Sequence, residues 1–286
     1  KQNIERVQLI EKENGKQTEI CAQVGAFSEE CAPVNLQVCA KSAYLMDFTS
    51  ETELFAQNEE ARLPIASMCK IMTLLLSFEA LERGDFQIDD EICISERAAS
   101  MGGSQVFLEA NAKYSVKELI KSIIVCSAND SCVAMAEKIS GSEGIFVEKM
   151  NEKAEELGCQ NTHFVNPNGL HDPQHYTSAW DMYLITRAAM EYEEFMVIAD
   201  TASYTVPATN MSEERKLYTT NHLLSNWRVI GYRDTRAHGI KTGSTDDAGY
   251  CLVSSAMKGS LHFVSVILGA ERVEVDGVGD IRSFSH

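Results

Sequence analysis

The order of apolar and polar positions predicts helices in the middle of the chain and strands on both sides of them. Helical patterns dominate residues 67–190. Two of the helices have clear starts, because segments 143–157 and 179–190 follow the N-cap residues Ser142 and Ser178. The central part of the chain is therefore predicted to be mainly helical.

Strand patterns occur before and after this helical region. Segments 42–47 and 53–56 predict a strand pair around a polar turn, and a further strand is expected near residue 204. Segments 248–257 and 261–268 predict a hairpin joined by a Lys-Gly-Ser turn. One antiparallel sheet of N-terminal and C-terminal strands, covered by the central helices, is an α+β fold.

Composition narrows the class of protein without identifying it. The 286 residues include 25 basic and 42 acidic residues, so the net charge of −17 disfavours a nucleic-acid partner or a polybasic membrane surface. Residues 1–38 are expected to be a polar, weakly structured lead, followed by one domain over residues 39–286. No apolar run is long enough to span a bilayer, and the start at Lys1 predicts a mature or trimmed chain.

A serine and a lysine three positions apart lie at the start of the first helical segment. On a helix these side chains share a face, so the Lys70 amine can reach the Ser67 hydroxyl and take its proton. Pro64 suits a helix start, which would put Ser67 in the first turn, where free backbone N–H groups can face an oxyanion. Alone, the pair is a weak signal, because a core helix can carry both residues by chance.

Ser127 and Asn129 flank an alanine at a break between two apolar segments, 119–125 and 133–136. A capping box that begins at Ser115 marks the start of the first segment. Both polar side chains are therefore expected to point into a cleft. Without the other motifs, an ordinary N-cap cluster explains this tripeptide better.

Lys241-Thr242-Gly243 precedes the predicted hairpin. An edge strand with this sequence can bind a substrate backbone as an added strand, while the lysine and threonine hold a carboxylate beside the glycine. The alternative is a solvated lysine before a turn.

Cysteines and histidines give little sign of a metal site, and no metal or cofactor is expected. The nine cysteines include no Cys-x-x-Cys pair, so buried free thiols are favoured over metal ligands. His171 and His175 flank Pro173, which breaks any helix that would align the two rings. We expect a turn with solvated histidines there.

The three motifs, in this order, resemble those of the low-molecular-mass penicillin-binding proteins, specifically the serine-type D-alanyl-D-alanine carboxypeptidases. The resemblance covers about residues 40–270 and includes longer phrases, at residues 101–105, 161–170, 220–224 and 239–243. It implies a β-lactamase/transpeptidase-like fold, with residues 39–286 as the catalytic domain.

The resemblance also implies a role for each motif residue. Ser67 would attack the carbonyl between two terminal D-alanines, with Lys70 as the base. Burial and the nearby Lys241 must lower the pKa of Lys70 for this role. Ser127 would relay a proton to the leaving D-alanine with help from Lys241, and Asn129 would hold the substrate amide and Lys70. The residues expected to bind substrate are Thr242, Gly243, Ser244 and Arg282.

Within that substrate site, the backbone N–H groups of Ser67 and Ser244 would form the oxyanion hole. Thr242 and Arg282 would hold the terminal carboxylate. Arg282 lies beyond the clear resemblance, and a surface arginine is an equal alternative.

Two other functions remain as alternatives. A class A β-lactamase would need a glutamate that activates the deacylating water, and residues 160–180 contain none. A non-catalytic peptidoglycan-binding or penicillin-binding module would be expected to lose Ser67 or Lys70. Two departures from the family pattern, Cys69 in place of the common threonine and Ala128 in place of aspartate, are compatible with a carboxypeptidase.

The resemblance implies partners and a location as well. The substrate would be a peptidoglycan stem peptide ending in D-Ala-D-Ala, and β-lactams would acylate the same serine. The protein is expected to be exported to the cell envelope. Family members often add a C-terminal β-rich domain and an amphipathic membrane anchor, and we expect membrane association only through a segment outside this chain.

Overall fold

The computed structural model describes residues 10–14, 17–21, 32–33, 36–227, 229–275 and 278–285. The strands, numbered in chain order, are β1 (Ile10–Asn14), β2 (Gln17–Cys21), β3 (Ala32–Pro33), β4 (Ser42–Asp47), β5 (Thr52–Gln57), β6 (Leu63–Pro64), β7 (Glu91–Cys93), β8 (Lys113–Ser115), β9 (Tyr176–Thr177), β10 (Ser203–Val206), β11 (Arg215–Tyr218), β12 (Ala237–Thr245), β13 (Gly249–Lys258), β14 (Leu261–Ala270), β15 (Arg272–Val275) and β16 (Val278–Ile281). The helices are a 3-10 helix (Ala66–Cys69), α1 (Lys70–Glu82), α2 (Glu96–Ala99), α3 (Val116–Val125), α4 (Asn129–Ser140), α5 (Glu143–Glu156), α6 (Ala179–Ala189), α7 (Glu193–Ala199) and α8 (Arg282–Ser285).

The main sheet is antiparallel and joins strands from both ends of the chain, in the order β12-β13-β14-β4-β5. Its centre is the β13–β14 hairpin, in which Lys258 pairs with Leu261. Helix α6 packs on this sheet through β4 and β14. The predicted α+β plan is confirmed, and it leaves β12 at one edge of the sheet.

The predicted helices form close to their expected bounds because their caps work as the sequence indicated. In the capping box of α3, the Glu118 N–H donates to Ser115 Oγ at 3.2 Å, and the Ser115 N–H donates to the Glu118 carboxylate at 2.7 Å. Ser142 and Ser178 cap α5 and α6 through their hydroxyls. The helical layer buries a continuous apolar core.

The start of the first helix differs from the prediction. Pro64 lies in strand β6, which pairs with β9, and therefore does not begin a helix. The backbone then turns at Ala66, whose φ is 47°, into the 3-10 helix that carries Ser67. The pairing of β6 with a strand more than a hundred residues away was not visible in local sequence.

The first 38 residues contain strands that their polar composition did not predict. Strands β1, β2 and β3 form an antiparallel sheet of their own, in the order β2-β1-β3. The division of the chain at residue 38 stays a prediction.

His175 is buried, so the prediction of a solvated histidine is wrong for this residue. Its Nδ1 accepts a hydrogen bond from the Val165 N–H at 3.0 Å, and burial lowers its pKa to about 4. The adjacent backbone pairing of His163 with Tyr176 draws this segment inward. His171 is exposed beside Asp247.

Several cysteines are buried thiols in the helical core, including Cys69 and Cys132. Within the described residues, His, Cys, Asp and Glu side chains form no group of three that could hold a metal ion. In the same part of the chain, no helix combines the length and the apolar character that crossing a bilayer requires.

Candidate active site

Ser67 and Lys70 lie on consecutive turns at the junction between the 3-10 helix and α1. The Lys70 Nζ is hydrogen-bonded to Ser67 Oγ at 2.8 Å. The amine is completely buried, because α1 is surrounded by the core over its first two turns. The i, i+3 spacing thus produces the contact that the sequence predicted, although its first turn is a 3-10 turn.

Two further acceptors fix the Lys70 amine. It donates to Asn129 Oδ1 at 2.8 Å and to the backbone oxygen of Asn168. Asn168 was not among the predicted site residues, although it lies in the quoted phrase 161–170. The acceptor is a backbone oxygen, which every residue has, so the identity of the side chain could not predict it. Only the resemblance over the whole 161–170 segment included this residue.

Gly169 shows why this phrase needs a glycine. Its φ is +90°, and a Cβ at this position would lie 2.0 Å from the carbonyl oxygen of Ala66. The backbone of the 161–170 segment therefore packs directly against the residue before Ser67. This contact braces the turn that carries Ser67.

Ser127 and Lys241 form a second hydroxyl and amine pair. Lys241 Nζ donates to Ser127 Oγ at 3.0 Å and to the backbone oxygen of Thr242 at 2.8 Å. Ser127 has a φ of +64°, a conformation that costs about 1–3 kcal/mol in a non-glycine residue. The strained turn between α3 and α4 points this hydroxyl into the cleft.

Asn129 connects Lys70 to the opposite side of the cleft. Its Nδ2 donates to the Gly102 oxygen at 2.8 Å, and its backbone N–H donates to the Ser104 oxygen at 2.7 Å. At Gly103 a Cβ would lie 2.7 Å from the Asn129 Nδ2, so the glycine leaves room for the amide. The phrase at residues 101–105 therefore positions Asn129.

The surroundings of both buried amines lower their pKa values. Burial lowers the pKa of Lys70. Burial, followed by repulsion from Lys70, lowers the pKa of Lys241 from 10.5 to about 7. The amines therefore do not both stay fully protonated at neutral pH, and a neutral amine is available as a base.

Strand β12 forms the edge of the cleft. The hydroxyls of Thr242 and Thr220 lie 2.6 Å apart and face the site together. A Cβ at Gly243 would lie 3.0 Å from the backbone nitrogen of Ser67, so the strand passes directly beside the nucleophile. Ser244 follows on the rim. The predicted edge-strand motif is thus beside Ser67.

The cleft encloses about 170 Å³ and includes residues that the motif analysis missed. Its far wall is built by His222 and the C-terminal Ile281, Ser283 and Phe284. The His222 and Phe284 rings stack with centroids 4.8 Å apart. The Arg282 side chain lies outside the described residues, so its predicted contact with a carboxylate stays a prediction.

Together these groups form two adjacent proton-transfer pairs around one small polar cleft. One pair joins a nucleophilic hydroxyl to a buried amine, and the other joins a second hydroxyl to a second amine. The first can deprotonate Ser67, and the second can deliver a proton to a leaving group.

Comparisons with known proteins agree with this geometry. A family model described as D-alanyl-D-alanine carboxypeptidase matches residues 28–272. The chain is 44% identical over 231 residues to the D-alanyl-D-alanine carboxypeptidase DacF of Bacillus subtilis, covering 81% of this chain and 57% of that protein. The chain spans 57% of the length of DacF and 60% of that of DacC from Escherichia coli, which is 32% identical over 254 residues.

Solved structures show the same fold. The D-alanyl-D-alanine carboxypeptidase DacD from Francisella tularensis has a TM-score of 0.77 at 30% identity, covering 86% of this chain and 69% of that one. Penicillin binding protein 5 from Haemophilus influenzae has a TM-score of 0.75 at 34% identity, covering 84% and 68%. These similarities confirm the predicted transpeptidase-like fold. With the family model matching most of its length, the chain belongs to the D-alanyl-D-alanine carboxypeptidase family.

Proposed function

We propose that this protein is a serine-type D-Ala-D-Ala carboxypeptidase that removes the terminal D-alanine of peptidoglycan stem peptides. The observation that carries the proposal is the pair of hydroxyl and amine contacts, Lys70 with Ser67 and Lys241 with Ser127, whose two serines line one cleft. Peptide hydrolysis through an ester needs one group to activate the nucleophile and another to protonate the leaving amine.

In the first half of the reaction, Ser67 Oγ attacks the carbonyl carbon of the penultimate D-alanine while neutral Lys70 takes the hydroxyl proton. The oxyanion is stabilised by the backbone N–H groups of Ser67 and Ser244. Ser127 passes a proton to the amide nitrogen with help from Lys241, and the C–N bond breaks. Free D-alanine leaves, and the shortened peptide remains as an ester on Ser67.

In the second half, water attacks the ester carbonyl and the Ser67 C–O bond breaks. The carboxylate product leaves, and the Ser67 hydroxyl is restored. Before this step, the proton that Lys70 took from Ser67 passes to Ser127 and Lys241 and replaces the one given to D-alanine. Neutral Lys70, beside Ser67 Oγ, then takes the water proton and returns it to that oxygen as the C–O bond breaks. Its three acceptors, on Ser67, Asn129 and Asn168, include no carboxylate, in contrast to a site built around a glutamate-activated water.

Substrate binding is assigned to β12 and its neighbours. The peptide backbone would add as a strand along the free edge of β12, over Gly243. Its terminal carboxylate would lie near the Thr242 and Thr220 hydroxyls, with Arg282 as the third candidate. Lys241 adds positive charge to this end of the cleft.

Penicillins would be acylating inhibitors, because a β-lactam amide presents the same carbonyl to Ser67. This activity implies action outside the cytoplasm, on the cell wall.

The test is D-alanine release from an acetylated peptide ending in D-Ala-D-Ala, measured beside hydrolysis of a chromogenic cephalosporin. The proposal expects multiple turnovers of the peptide and only stoichiometric reaction with the cephalosporin. Rapid turnover of the cephalosporin would assign a β-lactamase instead. If the protein neither releases D-alanine nor is acylated by the cephalosporin, the function would be that of a non-catalytic binding module.

A further inference from the structure

The two tryptophans of the chain have opposite surroundings. Trp180 packs against the core, with its ring 5.2 Å from that of Tyr44 in an edge-on contact. Trp227 is 57% exposed. A large aromatic side chain left in water is typical of a binding surface when it is also held in place.

Trp227 is held by a stacking contact. Its ring lies 4.0 Å from the ring of Tyr218, and the two planes differ by only 10°. Tyr218 is itself anchored in β11, where it pairs with Ser203 of β10. One face of the indole is therefore covered, and the exposed remainder is a flat apolar surface. We name Trp227 and Tyr218 the aromatic platform.

The aromatic platform is close along the chain to two residues that line the cleft. The Thr220 N–H donates to the Val125 oxygen at 3.1 Å, close to the strained Ser127 turn, and Thr220 and His222 both line the cleft. The segment that carries Trp227 is closed at its base by a 3.0 Å hydrogen bond from Asp234 to Leu223. The platform is therefore joined to the cleft wall by a short, hydrogen-bonded stretch of chain.

The distance between the two surfaces suits a peptide of several residues. Tyr218 is two residues from Thr220, and with the side chain and the stacking distance the platform lies within roughly 15 Å of the cleft hydroxyls. Extended peptide covers about 3.3–3.6 Å per residue, so four or five residues span this distance. A group joined to the amino end of a short peptide in the cleft would reach the platform.

On the basis of the proposed function, we propose that the aromatic platform binds a sugar ring of the glycan strand that carries the stem peptide. An N-acetylhexosamine has one face of C–H bonds, which stacks on a flat aromatic ring. Its hydroxyls and acetamido group stay in water at the rim. Trp227 then selects peptidoglycan over free peptide without touching the reacting bond.

A flat face fits a sugar better than a protein segment. An apolar peptide side chain would need a groove, whereas the stacked and exposed ring of Trp227 offers a plane. If a second copy of the chain or another protein covered the platform, the effect of changing Trp227 would not depend on whether the substrate carries a sugar.

Two substrates with the same peptide ending in D-Ala-D-Ala test the proposal, one with an N-acetylhexosamine disaccharide on its amino end and one with an acetyl group. We expect Trp227→Ala to raise KM for the glycopeptide about fivefold to tenfold and to leave the acetyl peptide unchanged, which also shows that the variant is folded. Trp227→Phe should keep part of the preference. Val197→Ala, at another exposed apolar residue, is the matched control.

An equal effect of Trp227→Ala on both substrates, or on neither, would overturn the proposal. If the wild-type protein releases no D-alanine from either substrate, the proposed function fails, and binding is measured instead. The glycopeptide should then change the fluorescence of Trp227, identified by its loss in Trp227→Phe, whereas the acetyl peptide should not. No response to the glycopeptide would contradict the sugar site independently of catalysis.

Discussion

Two cavities of this protein differ in size and in chemistry. One encloses about 830 Å³ between helices α1, α3 and α7, and is lined by apolar side chains together with the charged residues Glu82, Lys117, Lys121, Glu193 and Glu194. The other is the 170 Å³ cleft around Ser67. By volume and apolar lining, the larger cavity is the ordinary first choice for a binding site.

The two cavities differ in the partners of their polar groups. In the larger one, Lys121 lies 4.3 Å over the Tyr204 ring, and the Tyr192 hydroxyl donates to the Glu82 carboxylate. In the smaller one, each of two lysines is bonded to a serine hydroxyl. Burial lowers the pKa of Lys121 as it does that of Lys70, so a shifted lysine alone does not mark an active site. The proposed active site rests instead on the pairing of each amine with a serine hydroxyl.

Exchanging the lysine of each cavity gives the largest expected contrast. Lys70→Met removes the base from Ser67 and should slow both penicillin acylation and D-alanine release on the order of 10³-fold. Lys121→Met, in the larger cavity, should change neither rate. Stopped acylation assays on both variants check this, and a comparable loss in Lys121→Met would mean that the cavity comparison assigns the site wrongly.

Lys241→Met is expected to reduce the rate roughly 10²-fold and to change its pH dependence. The reaction needs neutral Lys70, so the rate falls as pH drops through the pKa of that amine. Removing a nearby positive charge raises this pKa, because repulsion between the two amines is mutual. The acidic limb of the acylation profile should therefore move to higher pH. An unmoved limb would show that Lys241 acts without influencing the titration of Lys70.

Gly243→Ala tests the close passage of β12 beside the nucleophile. The added Cβ would lie 3.0 Å from Ser67 N and 3.1 Å from the Ile65 oxygen, so the strand or the turn must shift by a few tenths of an ångström. We expect acylation to fall about tenfold, since small misplacements at reacting groups are costly. Gly144→Ala, where a Cβ meets nothing within 4 Å, is the matched control and should keep the full rate.

Thr242→Val should have the smallest effect of the four. It removes one hydroxyl from the Thr242 and Thr220 pair and no charge, so a loss of about fivefold in kcat/KM is expected, near the worth of a single hydrogen bond. The acidic limb should stay where it is in the wild-type profile. Steady-state kinetics across pH would reveal a shift, which would contradict the assignment of Thr242 to substrate binding alone.

Sequence patterns predicted much of this architecture because their signals were local. The capping box at Ser115, the cap at Ser142 and the 248–268 hairpin each lie within a few residues, and each formed as expected. The Ser67 and Lys70 contact was also predictable, since one helical turn joins them. The separation of Ser127 and Lys241 along the chain is too long to predict a contact between them. That contact was expected only because the three motifs occur in the family's order.

The features that were missed depend on distant pairing or on the backbone. Pro64 suggested a helix start, but the partner strand that holds it is β9. His175 lies in a polar stretch of sequence, yet its ring is buried, and its Nδ1 accepts a hydrogen bond from the Val165 N–H. The Asn168 oxygen that holds Lys70 belongs to the peptide chain, which every residue shares. Single-sequence patterns describe side chains well and such backbone roles poorly.

The most direct test of the account is the position of a penicillin adduct. The purified protein is incubated with benzylpenicillin, digested and analysed by tandem mass spectrometry. One penicilloyl group per chain is expected, on the peptide containing Ser67, and no adduct is expected in Ser67→Ala. An adduct on another residue, or one that persists in Ser67→Ala, would contradict the assignment of Ser67 as the nucleophile.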